Sequence, residues 1–131
     1  METVTVRTHS RTELIDVTSE VEAAVRRSQV QRGACVVSVP HTTAAVTVNE
    51  NADPDVTSDI LKELNKIVPF EDGYSHSEGN SAAHLKSTLV GCSLMLPVEE
   101  GTLVLGTWQA IYFCEFDGPR ARNMQIQVLG A

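Results

Sequence analysis

CSLMLPVEEGTLVLGTWQAIYFCEFDGPRARNMQIQVLG, residues 92–130, is the stretch that decides the fold. It contains four apolar or alternating runs, CSLMLPV, TLVLGT, WQAIYFCEF and RNMQIQVLG, broken by Glu-Glu-Gly and Asp-Gly-Pro turns. Runs of this length between such breakers predict strands in hairpin-like succession. Upstream, TVTVRTH (3–9) alternates with Val4 and Val6 on one face, and TELIDV (12–17) reads as a second strand. ACVVSVP (34–40) is a continuous apolar strand. After Pro40 the alternation resumes, with Thr42, Ala44, Val46 and Val48 opposite His41, Thr43, Ala45, Thr47 and Asn49.

Three helices interrupt the strands. Ser19-Glu20-Val21-Glu22 reads as a capping box, opening a helix with Val21, Ala24, Val25 and Ser28 on one side and Gly33 after its stop. Asp53-Pro54 starts a second helix, whose expected buried stripe is Val56, Ile60, Leu64 and Ile67. FEDGYSHSEGN is a loop, and SAAHLKSTLV (81–90) is a third helix. On its wheel Ala82, Leu85 and Leu89 face the core, while Asn80, Ser81, His84, Ser87 and Thr88 form a small polar face. The pattern predicts one α+β domain over residues 1–131. Its architecture is an antiparallel, jelly-roll-like β-sandwich with two to three helices.

The chain has 131 residues, 42% of them hydrophobic, and a net charge of −7. The length suits one core. The acidic balance, with no Lys/Arg cluster, argues against a nucleic-acid partner. No apolar run approaches the ~20 residues of a membrane span, and METVTVRTHS has no hydrophobic signal core. Cys35, Cys92 and Cys114 form no CxxC pair and read as reduced, mostly buried thiols of a cytoplasmic protein.

The chemistry concentrates in HSEGNSAAHLKS (76–87). Gly79-Asn80-Ser81 leads into a helix start, where unpartnered N–H groups suit an anion. His84 lies one turn in, His76 precedes it in the loop, and His41 stands at a strand end. Three imidazoles with an open position suit zinc, although His-x7-His is not a recognised ligand spacing. Asn80 can equally be a plain helix cap. Ser87 shares the face of His84 and can donate to an anion. Arg120 and Arg122, two apart, share a face and suit either a phosphate or an ion pair with local acids. Met124, Ile126 and Val128 continue that face as core. Glu50, Asp53 and Asp55 cluster at a strand-to-helix junction. Asp53 is read as a cap and Asp55 as a dipole partner. Glu50 is either inert or a residue that ligates a metal or orients a histidine. Trp108, beside Gln109, reads as structural.

PHTTAAVTVNENADPDV, HSEGNSAAHLKSTLVG, LPVEEGTLVLGTWQAIYFCEFDGPR and QIQVLG together resemble the YjbQ-like family, the secondary thiamine-phosphate synthases. The resemblance runs from about residue 3 to the C-terminus. It implies a YjbQ-like fold, a homotrimer, and a metal at His41, His76 and His84, with Zn²⁺ favoured and Mg²⁺ the alternative. It also implies joining of a pyrimidine diphosphate to a thiazole phosphate; with only 5% aromatic residues to build a dry cleft, that activity reads as a secondary one. On that reading Arg120 and Lys86 meet phosphate, and Glu50 is a possible base or supports a ligand. Lys86 and Glu50 are the catalytic candidates, and Asn80, Ser87, Arg120 and Gln109 the substrate-binding ones. Two other functions compete: a metal-dependent hydrolase of a small phosphorylated metabolite, with Glu50 as base, and a non-catalytic metal- or metabolite-binding trimer.

Overall fold

The computed structural model describes residues 1–131. In chain order the elements are β1 (Glu2–Arg7), β2 (Glu13–Asp16), α1 (Thr18–Ser28), β3 (Gly33–Ser38), β4 (Ala44–Glu50), α2 (Pro54–Ile67), α3 (Ser81–Val90), β5 (Ser93–Glu99), β6 (Thr102–Leu103), β7 (Gln109–Glu115) and β8 (Ala121–Gly130). The α+β architecture expected from the sequence is observed. One sheet has the order β1-β8-β3-β5-β6 and the other β2-β7-β4. Every strand pair is antiparallel.

The core lies between the sheets and under α1. Val37, Val46, Ile111, Phe113, Met124 and Ile126 fill it, with Val21, Ala24 and Val25 of the helix. β4 is buried on both faces: Ala44 and Val46 enter this core, while Ala45 meets Ala83 of α3, Cys114 and Phe116 in a second cluster.

The hairpin succession expected for residues 92–130 is corrected by the topology. β5 and β6 do form a hairpin, turning through Glu100 and Gly101 at φ of 51° and 76°. β7 and β8, however, belong to different sheets. Asp117-Gly118-Pro119 carries the chain from one sheet to the other, with a cis bond before Pro119. Gly118 is required there. A Cβ at this position would lie 2.8 Å from Thr8 Oγ1 and would overlap the Ser10 carbonyl oxygen.

Three helix expectations also change. No Ser19 capping bond forms; Thr18 N–H and its hydroxyl donate instead to Asp16 Oδ1 at 2.9 and 2.6 Å, so the first turn is served from β2. Asp53 does cap α2, accepting from Asp55 N–H at 2.9 Å. The α2 stripe, however, is only half-buried, and Ile67 is 63% exposed, because the helix lies against the edge strand β2. In α3, Leu85 and Leu89 face outward while Ala82, Ala83, Lys86 and Ser87 are buried. Small side chains let this helix approach β4 closely, and that approach selects the face. Trp108, expected to be structural, is 62% exposed, and Cys92 is the one exposed thiol.

Candidate functional site

A cleft of about 500 Å³ opens where β4 begins, β7 ends and β8 begins, beside the start of α3. No hydrophobic residue lines it. His41 and Thr43 come from the segment before β4, His76 and Glu78 from the loop, Asn80 and His84 from the start of α3, and Asp117, Arg120 and Arg122 from the sheet crossing. Three segments far apart in sequence, 40–43, 76–84 and 117–122, thus deliver the three expected histidines and both arginines to one place.

The histidines differ in state. His41 Nε2 accepts the Asn123 N–H at 2.9 Å, which leaves its ring proton on Nδ1. Burial and the neighbouring Arg122 charge push its pKa below the ordinary 6.5. The rings of His76 and His84 meet edge to face, centroids 5.4 Å apart at 87°. His76 Nε2 is 3.9 Å from Glu78 Oε2. Gly79, at φ +76°, makes the tight turn between them, its N–H donating to His76 O at 3.2 Å.

The three histidines are not drawn together around one point in this conformation. No three His, Cys, Asp or Glu side chains converge in a ligating arrangement. His76 and His84 are paired, but His41 has its Nε2 lone pair committed to Asn123.

The anion expected at the start of α3 meets a partly occupied set of donors. Asn80 stands at the N-cap without making a side-chain cap; its Nδ2 donates to Asp117 Oδ2 at 2.9 Å, and its Oδ1 is sealed without a partner. Ala83 and His84 N–H groups are already spent on Asn80 O, at 3.1 and 3.4 Å. Arg120, half-exposed, reaches Asp117 through Nε (to O, 3.0 Å) and Nη2 (to Oδ2, 3.2 Å). Arg122, only 3% exposed, pairs with the fully buried Glu115.

The remaining candidates lie elsewhere. Glu50 and Gln109 pair across β4 and β7 at the end of the three-stranded sheet away from the cleft, whereas Ala44 and Glu115 pair at the near end. Six residues of strand separate them, about 20 Å. Gln109 Oε1 accepts from Gly106 N–H at 2.7 Å, a turn-closing contact. A base role for Glu50 within one chain is therefore corrected. Ser87 is buried and donates to Ala44 O at 2.7 Å; it borders a hollow next to His41 and His84 rather than the cleft. Lys86 has no exposed surface, and its Nζ has no hydrogen-bond partner. It sits 4.2 Å from the Phe70 ring centroid, with burial and Arg11 pushing its pKa down. It points away from the cleft because it lies two residues, about 200° of helix, from His84.

Glu115 and Thr43 were missed in the sequence. Glu115 reads there as one residue of an apolar strand, and an acid within such a run was the available signal.

The family described as UPF0047 protein YjbQ-like matches residues 2–131. The chain is 50% identical to the UPF0047 protein YugU of Bacillus subtilis over 131 residues, 99% of each chain. It is 47% identical to a UPF0047 protein of Methanocaldococcus jannaschii over 125 residues, 95% of this chain and 91% of the other. A crystal structure of an uncharacterized YjbQ/UPF0047 protein from Clostridium acetobutylicum superposes with a TM-score of 0.97 at 49% identity, covering 98% of this chain and 100% of that one. A YjbQ-like protein of unknown function from Sulfolobus solfataricus gives 0.96 at 36% identity, over 99% and 96%.

Proposed function

The chain belongs to the UPF0047 YjbQ-like family, and from that membership we propose that its polar cleft binds a small phosphorylated metabolite and transfers a group from it. The specific form is thiamine-phosphate synthesis as a secondary activity. The thiazole nitrogen attacks the methylene carbon of the pyrimidine diphosphate, the carbon–oxygen bond breaks, and pyrophosphate leaves with the electron pair. The observation that carries this reading is the convergence of His41, His76, His84 and Arg120 on one mostly polar cleft. Arg120 offers charge to the departing oxyanion. His76 or His84 is placed to move a proton at its oxygen. A divalent ion, Zn²⁺ before Mg²⁺, belongs to this proposal only as an occupant for which His41 must first give up its Asn123 bond, and no step depends on it.

Purified protein incubated with the pyrimidine diphosphate and the thiazole phosphate should release pyrophosphate, and His84→Ala should abolish the release. Phosphate binding without turnover would favour the non-catalytic reading. The hydrolase reading needs its base from elsewhere than the same chain's Glu50, which is at the far end of β4. Assembly as a homotrimer in a reducing compartment completes the proposal. It is supported by the exposed Leu85 and Leu89 of α3 and by three unpaired cysteines.

A further inference from the structure

Arg122 is the cleft's buried cation, and its guanidinium is held along two edges. Nε donates to Glu115 Oε1 at 2.9 Å and Oε2 at 3.2 Å. Nη2 donates to Glu115 Oε2, to Thr43 Oγ1 at 2.9 Å and to Thr43 O at 3.2 Å. Nη1 has no partner in the protein, yet it is not among the sealed unpaired atoms. It therefore keeps some accessible surface, and Arg122 is a lining residue of the cleft. A guanidinium fixed along two edges cannot swing, so the direction of its third edge is set before any ligand arrives.

Glu115 does the fixing. Besides Arg122, its carboxylate accepts the Thr8 hydroxyl at 2.7 Å and the Asp117 N–H at 3.0 Å. Thr8 Oγ1 in turn accepts the Arg120 N–H at 2.8 Å. One buried carboxylate thus holds the Arg122 side chain directly and, through Thr8, the backbone that carries Arg120.

We propose that Arg122 Nη1 is the principal oxyanion donor of the cleft, taking a phosphate-class oxygen, and that Glu115 is its positioning residue. This rests on the reading of the cleft as a phosphorylated-metabolite site. The charges argue for direction over bulk attraction. Arg120 is paired with Asp117 and Arg122 with Glu115, and Glu78 also lines the cleft. Without surplus positive charge, affinity depends on aimed N–H groups and changes little with salt, unlike that of an open basic patch.

The test is calorimetric titration of inorganic phosphate into wild type, Arg122→Lys, Glu115→Gln and Arg120→Ala at two salt concentrations, with a melting curve for each. Lysine keeps the charge but cannot hold Glu115 and Thr43 while presenting a third edge, so Arg122→Lys weakens binding about tenfold or more. Glu115→Gln weakens it comparably while remaining folded. In that variant the phosphate-dependent shift of the Arg122 side-chain ¹⁵N resonance, present in wild type, is lost. A purely structural role would leave that shift in place. Arg120→Ala has the smaller effect. If Arg122→Lys does not fold, Glu115→Gln/Arg122→Met removes both charges together and carries the same expectation. Binding by wild type and by Arg122→Lys within about twofold of each other would overturn the assignment and leave the cleft reading intact. No binding by wild type would overturn both.

Discussion

At the scale of single residues, Glu115 bears on stability as well as on the proposed anion site. Burial alone would raise its pKa, but hydrogen bonds from Arg122, the Asp117 N–H and Thr8 outweigh burial and hold it below the ordinary 4.5. A carboxyl lowered on folding stabilises the fold at pH above its unfolded value. That contribution disappears as pH falls through the folded value, because the unfolded chain then binds the proton more readily. Denaturant midpoints measured from neutral pH downward should therefore drop below about pH 4.5, and Glu115→Gln should flatten that dependence; an unchanged slope would remove Glu115 as its source. Lys86 gives a prediction of opposite sign. Its ammonium is buried with no hydrogen-bond partner, only the Phe70 face. Lys86→Met should then raise stability by about 1 kcal/mol in urea melts. A loss would mean that the amine has a partner this chain alone does not supply. Both residues show what a sequence withholds. The histidines, Arg120 and Asn80 could be read as site residues because polar side chains among small neighbours stand out. The burial of Lys86 and the distance of Glu50 and Gln109 from the cleft could not, because they depend on which strand end lies where.

At the scale of elements, alternation located the strands because residue i and residue i+2 share a face whatever the partner strand is. Pairing was not legible in the same way. β7 and β8 are consecutive and joined by a turn sequence, yet they lie in separate sheets, and Gly118 leaves room for the crossing beside Thr8 and Ser10. α3 misled for a related reason. Its leucines mark an apolar face, but contact with Ala45 of β4 rewards small side chains, so the alanines go inward. Ala83→Leu should accordingly cost about 1–3 kcal/mol in chemical denaturation, as an overpacked contact, even though it adds apolar surface. A neutral result would mean that the helix can back away from the strand. Asp53→Ala, which removes the side-chain cap on α2, should cost about 1 kcal/mol by the same measurement.

At the scale of the whole molecule, Ile67, Leu89, Met95 and Trp108 are each more than 60% exposed. The proposed homotrimer, with its second and third copies in closed symmetry, would cover part of this apolar surface. Light scattering coupled to size exclusion should report a trimer, and Leu89→Asp should shift it to smaller species; a wild-type monomer at micromolar concentration would rule the assembly out. The sheet order has a further consequence, one of timing. β8 lies between β1 and β3, so the first strand has no hydrogen-bonded neighbour in its sheet until the last strand is in place, whereas β3 already has β5. Thr8, Thr43, Glu115 and Arg122 then lock around one carboxylate only after β8 has been inserted. On the proposed reading, a growing chain lacks its aimed anion donor until its final strand is in place, and phosphate binding would report a finished fold.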